Sequence, residues 1–447
     1  MRQSQYNIWS RRGDTAYVFN GVSGGVIRMS ESERDQVLRF LEGDDSEAPA
    51  KLLEELVRGR MLVSDDADEV RFLSDRYRLS RHDTSTFALT IVTSLGCNFD
   101  CPYCFEAKHP SIVTPEVEAS ILRILDDRLP AASAFHVSWF GGEPLVGKRP
   151  LLSLSDAFIS RCDAAGVAYT ADIITNGYFL DEETCRELQA RRVTSAQITI
   201  DGPPDIHDRM RPLAGGQGTF ARILDNLPIA AKYIGVTVRV NLDVANWLRT
   251  EELFQILQRA GLSEGIGVYP GQLVGVADGV DAPSASYGNR CLSNHEFADV
   301  QRRFAKLARS YGFAVEGLPG PVATPCTAVR SNELIIGSDG ELYKCWESVG
   351  NRFEVIGHVD DYENTNGRLA KWLRYDPFSE PECRQCIALP VCMGGCAHHA
   401  MDLNLYENRC GTFRWNYQQS VEDYIELVKT GEASSSRRTA GRQMETR

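Results

Sequence analysis

A chain of 447 residues with 43% hydrophobic and 24% charged residues has material for about three domains, which excludes a peptide hormone or a disordered segment. Its 48 Lys and Arg against 61 Asp and Glu leave a formal charge of -13, the wrong sign for a nucleic-acid partner. No stretch approaches the ~18–20 apolar residues of a membrane span, and the opening Met1-Arg2-Gln3-Ser4-Gln5-Tyr6 leads into no signal-type apolar run, so a cytoplasmic protein without a membrane partner is expected.

In chain order, strand-like runs at Tyr6 to Ser10 and Thr15 to Phe19 are punctuated by Asn20-Gly21 and Gly24-Gly25. Ser30-Glu31-Ser32-Glu33 offers a capping box before Val37, Leu38 and Leu41, whose spacing predicts one apolar helix face. A second helix around Leu52, Leu53, Leu56 and Val57 stops near Gly59, and Met61-Leu62-Val63 reads as a short strand. Strands, helices and a closing strand suggest a small winged-helix-like module over residues 1–82. It includes a further helix from Asp66 to Arg78 and ends in the polar stretch His82-Asp83-Thr84-Ser85.

Residues 83–285 then repeat a strand-helix pattern. Strands are predicted at Phe87 to Thr93, Phe135 to Phe140, Ala171 to Thr175, Gln197 to Asp201, Val236 to Asp243 and Ile266 to Tyr269. Helices are predicted at Thr114 to Leu129, Leu151 to Ala165, Asp181 to Arg191, Thr219 to Ala231 and Thr250 to Ala260. Six such units favour an α/β fold whose parallel sheet curves into a partial (β/α)6 TIM-type barrel, with chemistry on loops leaving the carboxyl ends of the strands. From about Gly271 the periodicity fades into Gly, Pro and Ser. One helix, Ser293 to Tyr311, precedes a cysteine-dense segment. Residues 286–430 read as a domain organised around metal, and 431–447 as a disordered tail.

Thirteen cysteines in a chain expected in a reducing compartment point to metal binding or catalysis rather than to disulfides. Cys97, Cys101 and Cys104 fall within eight residues, directly after the first barrel strand and Gly96. Thiolates are soft ligands suited to zinc or to iron-sulfur clusters. Three of them occupy three corners of a 4Fe-4S cube and leave one iron open for chemistry. A structural zinc completed by a distant residue, or thiols without a ligand, are the alternatives.

The Cys97-x3-Cys101-x2-Cys104 run, with Tyr103 before the last cysteine, resembles the signature of the radical S-adenosylmethionine (SAM) enzymes. Other landmarks of that family stand in order at later strand ends. Gly141-Gly142-Glu143-Pro144 follows Trp139-Phe140, Thr175-Asn176-Gly177 follows the third strand, and Gln197-Ile-Thr-Ile-Asp201-Gly202-Pro-Pro-Asp-Ile-His207-Asp208 follows the fourth. The resemblance, over about residues 87–270, implies that Gly141, Gly142 and Glu143 receive the methionyl amino group of SAM and that Asn176 approaches its ribose. It makes Thr199 and Asp201 candidates for polar contacts with SAM or substrate, Arg211 for the SAM carboxylate, and Asn241 with Leu242 for the nucleoside. It also implies that a reduced cluster splits SAM to a 5'-deoxyadenosyl radical, which takes a hydrogen atom from the substrate. Asp201-Gly202 as a plain turn and Arg211 as a surface cation are the bland readings.

The later cysteines, Cys326, Cys345, Cys383-x2-Cys386-x5-Cys392-x3-Cys396 and Cys410, resemble the seven-cysteine SPASM extension of radical SAM enzymes that act on peptides and proteins. That resemblance implies two auxiliary 4Fe-4S clusters, one held by Cys326, Cys345 and Cys396 with Cys291 as its fourth ligand, the other by Cys383, Cys386, Cys392 and Cys410. The total is three clusters. Cys162 and Cys185 sit in amphipathic helix patterns and read as ordinary semi-buried thiols, and His398 and His399 carry no assigned role. A pair of zinc ribbons is the alternative for this segment.

The SPASM resemblance implies a peptidyl substrate. The leading expectation is a maturase that abstracts hydrogen from a ribosomal precursor peptide and produces a cross-link, an oxidation or an epimerisation, fed by an external one-electron reductant such as flavodoxin or ferredoxin. The first ~80 residues resemble N-terminal segments of such maturases, some of which bind a leader by adding a strand to a sheet edge; a structural cap is the alternative. Sulfatase maturation, the oxidation of Cys or Ser to formylglycine, is the second reading, and in those enzymes an aspartate is expected where Trp346 follows Cys345. A catalytically silent iron-sulfur scaffold or leader-binding partner is the third. No catalytic residue beyond the SAM-cluster ligands is identified.

Overall fold

The computed structural model describes residues 1–44, 48–275 and 282–430, so the expected tail at 431–447 lies outside the described residues. The chain folds into two compact units. The first joins Met1–Arg81, Glu316–Cys326 and the described residues from Tyr375 onward; the second joins His82–Val315 and Thr327–Arg374.

In the first unit, β1 (Arg2–Gln3) pairs with a later strand, while β2 (Asn7–Arg12), β3 (Thr15–Asn20) and β4 (Val26–Ser30) form an antiparallel sheet in that order. Helices follow at Glu31–Leu41 and Ala50–Arg58, then β5 (Leu62–Val63), the partner of β1, and a helix at Glu69–Arg81. The expected capping box is present: Ser30 Oγ accepts the Glu33 N–H at 3.2 Å, and the Glu33 carboxylate accepts the Ser30 N–H at 2.7 Å.

β3 is buried on both faces, which accounts for the run of apolar residues in Ala16-Tyr17-Val18-Phe19. Ala16 and Val18, with Met29, pack against Val37 and Leu56 from the following helices and Met61 from the bend after them. Ile8, Tyr17 and Phe19, on the other face, pack against Ala388, Phe413, Val421 and Ile425, with Phe19 and Phe413 meeting edge-on at 6.2 Å. Each such buried side chain contributes roughly 1.5–3 kcal/mol, so the N-terminal sheet and the cysteine-rich C-terminal segment share one core.

The second unit is built on β6 (Thr86–Ser94), β7 (Ala134–Gly141), β8 (Ala168–Thr175), β9 (Val193–Thr199), β10 (Gly235–Leu242) and β11 (Ile266–Gln272), parallel and adjacent in chain order. Helices at Pro115–Arg128, Lys148–Ala165, Glu182–Ala190, Phe220–Tyr233 and Thr250–Arg259 alternate with them. β12 (Glu333–Ile336) adds in parallel beside β6, and β13 (Glu341–Tyr343) and β14 (Gly357–His358) extend that side antiparallel, so residues from the cysteine-dense region complete the sheet. The fold is α/β with a mostly parallel sheet, as a partial barrel requires.

The two faces of the sheet differ. Phe135 and Trp139 on β7 pack against Phe158 of the helix Lys148–Ala165, at 5.2 and 6.2 Å between rings. Residues alternating with them are polar: His136 bonds Thr170 at 2.9 Å and Asp172 at 3.1 Å, Arg239 donates to Asn241 Oδ1 at 2.8 Å, and the Tyr269 hydroxyl donates to Gln197.

Candidate active site

The site is assembled at the carboxyl ends of β6 to β10. β6 runs into the loop bearing Cys97, Cys101 and Cys104, and β7 ends in the Gly141-Gly142-Glu143 turn. The two are joined through the backbone: Gly142 N–H donates to Ser94 O and Glu143 N–H to Gly96 O, both at 3.0 Å. Glycine is needed here because of neighbouring chain. A Cβ on Gly141, whose φ is +136°, would stand 2.2 Å from Ser94 O, and one on Gly142 would stand 2.7 Å from Leu95 O.

The Glu143 side chain is wholly buried, and its two oxygens accept from Leu145 N–H at 3.0 Å, the Thr175 hydroxyl at 2.8 Å and Asn176 N–H at 2.7 Å. Burial nevertheless raises its pKa above the usual carboxylate value. Glu143 thus ties the end of β7 to the end of β8. Asn176 in turn donates to Asn98 Oδ1 at 2.8 Å, and its Nδ2 lies 4.0 Å from Cys97 Sγ.

Burial pushes the Cys97 and Cys104 thiols up to about 12 and raises Cys101 as well. Burial raises Cys162 and Cys185 in the same way, so what sets these three thiols apart is their place on one loop at the strand ends. Glu106, two residues on and missed from the sequence, is buried, and burial lifts its carboxyl to about 8. Among the described residues, no three His, Cys, Asp or Glu side chains close around a position suited to one metal ion.

A second group surrounds Tyr103. Its hydroxyl donates to Asp201, while Arg211 Nη1 and Asn241 Nδ2 donate to that hydroxyl at 2.7 and 3.2 Å. Asp201 also accepts Asn241 N–H at 3.1 Å. Burial raises the Asp201 pKa against the pull of Arg211, and the Arg211 guanidinium, opposed by burial, is held charged by Tyr103, Cys101 and Asp201. Arg211 Nε is buried without a hydrogen-bond partner, as is Asn98 Nδ2. Two orphaned donors beside a three-thiol loop fit a ligand that carries acceptor oxygens.

Tyr103, Asp201, Arg211 and Asn241 therefore converge, whereas two other sequence candidates differ. Thr199 is buried at the end of β9, opposite Arg239 in the sheet register, and lies on the polar face. Leu242 points to the opposite face from Asn241 and lines a cleft with Trp247, Thr250, Phe304 and Leu307, so its side chain does not join the group.

In the first unit, Cys383, Cys386, Cys392 and Cys410 stand within electrostatic reach of one another; burial pushes Cys383 up to about 12 and Cys392 to about 11. Arg414 Nη1 donates to Cys410 Sγ at 3.1 Å. Cys396 accepts the His399 N–H at 3.5 Å, and Cys326 is exposed. Cys345 belongs to the second unit, as does Cys291, whose thiol lies 3.8 Å from Tyr287 O beside Asp243. Cys162 and Cys185 are fully buried in helices, deeper than the semi-buried positions expected of them, and none of the thirteen cysteines forms a disulfide.

Residues 91–263 match the Radical SAM superfamily. That span is thus a radical SAM domain, which marks the chain as an enzyme and supports SAM and a 4Fe-4S cluster as its cofactors. Among individual proteins, the chain is similar to the serine-type anaerobic sulfatase-maturating enzyme of Klebsiella pneumoniae, 23% identical over 340 residues that cover 68% of this chain and 80% of the relative. Its fold is similar to that of native anSMEcpe solved with bound AdoMet and the Cp18Cys peptide, with TM-score 0.56 and 17% identity over 76% of this chain and 99% of that one. It is also similar to that of Streptococcus suis SuiB bound to the precursor peptide SuiA, with TM-score 0.52 and 13% identity over 92% and 99% of the two chains.

Proposed function

We propose that this chain is a peptide maturase of the radical SAM/SPASM type that modifies a ribosomal precursor peptide by hydrogen abstraction, giving a cross-link, an oxidation or an epimerisation. The observation that carries the reading is the joining of the Cys97–Cys104 loop to the Gly141–Glu143 turn beside a buried guanidinium with an unused donor. When bound, the cluster and SAM supply one-electron cleavage of a carbon-sulfur bond, and with it a hydrogen-atom abstractor.

The residues of the chain do the rest. Cys97, Cys101 and Cys104 hold the cluster, Gly141 and Gly142 bring backbone close to the SAM amine, and Glu143 fixes the turn through Asn176. Arg211, braced by Tyr103 and Asp201, takes the SAM carboxylate; Thr199 and Asn241 border the nucleoside, to which Leu242 offers only its backbone. The polar sheet face of His136, Asp172, Gln197, Arg239 and Tyr269 suits a hydrated peptide backbone better than an apolar ligand.

In this reading residues 83–285 are the radical SAM core, and residues 286–430 are a SPASM domain. Its two auxiliary clusters are held by Cys291, Cys326, Cys345 and Cys396, and by Cys383, Cys386, Cys392 and Cys410. The grouping of the latter four supports the second set. Residues 1–82 are a winged-helix-like module for leader recognition, and a cytoplasmic flavodoxin or ferredoxin supplies electrons. Among the described residues no helix is long and apolar enough to cross a membrane.

Formylglycine formation is the second reading, favoured by the similarity to the Klebsiella enzyme. Against it, the residue after Cys345 is Trp346, whose ring packs 4.8 Å from Phe140 just before the glycine turn, where an aspartate base is expected. The test is mass spectrometry of peptides from neighbouring short open reading frames, and of a sulfatase-derived peptide, after anaerobic incubation with SAM and reductant. Loss of two hydrogens, or a one-unit mass gain at a single residue when the reaction is run in D2O, as inversion with solvent-derived hydrogen gives, in the former supports the proposal. Formylglycine in the latter alone replaces it.

A further inference from the structure

His207 is buried completely in the short helix Pro204–Met210, and the functional reading above gives it no task. Its Nδ1 accepts the backbone N–H of Asp201 at 3.3 Å, so Nε2 carries the hydrogen and donates to Thr219 Oγ1 at 3.1 Å. Thr219 then donates its hydroxyl hydrogen to the Arg211 carbonyl at 2.7 Å, and the Arg211 N–H donates to the His207 carbonyl, also at 2.7 Å. Asp208 holds Thr219 in place by accepting the N–H groups of Thr219 and Phe220, each at 2.8 Å. Burial and the nearby Arg211 keep the imidazole neutral, which leaves Nδ1 free to accept.

These bonds close a ring. Tyr103 is bonded to Asp201, Asp201 to His207, His207 to Thr219, Thr219 to Arg211, and Arg211 back to Tyr103. The ring includes the cysteine loop through Tyr103, and that loop is also bridged to the segment beyond Arg211, where Asp100 N–H donates to Pro212 O and Ala214 N–H to Asn98 O, both at 2.9 Å. An imidazole with one accepting and one donating nitrogen is the side chain that can grip Asp201 from one side and Thr219 from the other. Its edge meets Phe220 at 5.6 Å, so the ring has little room to turn.

We propose that His207 is a positioning residue for SAM: through Asp201 and Thr219 it fixes where the Arg211 guanidinium stands relative to the cluster loop, without touching SAM itself. The proposal rests on the radical SAM reading and adds a residue to it.

The test compares His207→Phe, His207→Asn and Thr219→Val with the wild type after anaerobic cluster reconstitution, measuring iron content, SAM affinity and SAM cleavage at saturating SAM. His207→Phe keeps the ring and removes both nitrogens, and is expected to weaken SAM binding about tenfold with iron content and saturated turnover little changed. His207→Asn keeps an acceptor toward Asp201 and should recover part of the loss. Thr219→Val breaks the same chain further on, so the double variant should be no worse than His207→Phe alone. Unchanged SAM affinity in folded, iron-loaded His207→Phe, or losses that add in the double variant, would overturn the proposal; if His207→Phe does not fold, Thr219→Val decides by the same criterion. A wild-type protein that binds iron but not SAM would instead remove the reading on which it rests.

Discussion

The two thiol-rich regions contrast in what holds them. The loop of Cys97, Cys101 and Cys104 leaves the end of a regular strand of the parallel sheet, buries Phe99, Cys101 and Tyr103, and has its backbone tied to Gly142, Glu143, Pro212 and Ala214. The segment of Cys383 to Cys410 has almost no regular structure of its own. Its helices, Pro381–Arg384, Leu389–Cys392 and Ala397–Ala400, are four residues each, and Met393, Gly394 and Gly395 all adopt positive φ. Cys386 and Cys392 themselves pack into the apolar core shared with Phe19 and Phe413. In the proposed reading the thiols of the second region serve both as metal ligands and as contributors to that core, so metal binding and folding there are expected to be one process.

Removing iron with a chelator under anaerobic conditions should break this comparison most visibly. Hydrogen exchange in residues 383–410 and in β2 and β3 is expected to approach that of an opened segment, while β6 to β10 remain protected. Equal loss of protection in both regions would show that the barrel also depends on its cluster.

A smaller effect sharpens the other side. Gly141→Ala places a methyl group 2.2 Å from Ser94 O at a φ that side chains avoid, so a loss of at least ~2 kcal/mol is expected in thermal unfolding of the second unit. Unaltered stability would mean that the turn can move away from the cluster loop. The smallest effect belongs to the helix start in the first unit, where Ser30→Ala should cost about 1 kcal/mol, read by denaturant unfolding, with SAM cleavage unaffected.

The barrel units are legible in the sequence because each strand is a run of apolar and β-branched residues followed by a helix of 3.6-residue periodicity; all six predicted strands are present, most with slightly longer bounds. β4 is not read from the sequence, because Val26 to Ser30 lies between a Gly-Gly turn and a capping box that both signal other structure. β12 to β14 are two to four residues long, too short to show a period. Among site residues, those carried by contiguous motifs are legible and those defined by contact through space are not. Glu106 owes its interest to burial that no local pattern reveals, and His207, although it lies inside the Gln197–Asp208 landmark, shows its partners only in the structure. The separation of Asn241 from Leu242 follows from the alternation of side chains along a strand, a signal present in the sequence.

The central claim is that Cys97, Cys101 and Cys104 hold a cluster whose unligated iron receives SAM for reductive cleavage. Its most direct test is formation of 5'-deoxyadenosine by the anaerobically reconstituted protein with SAM and dithionite, beside the variant in which all three cysteines are alanine. The account predicts product from the wild type and none above background from the variant, with the remaining iron content of the variant at about eight of about twelve atoms per chain. Product formed equally by both proteins, or absent from an iron-loaded wild type, would contradict it.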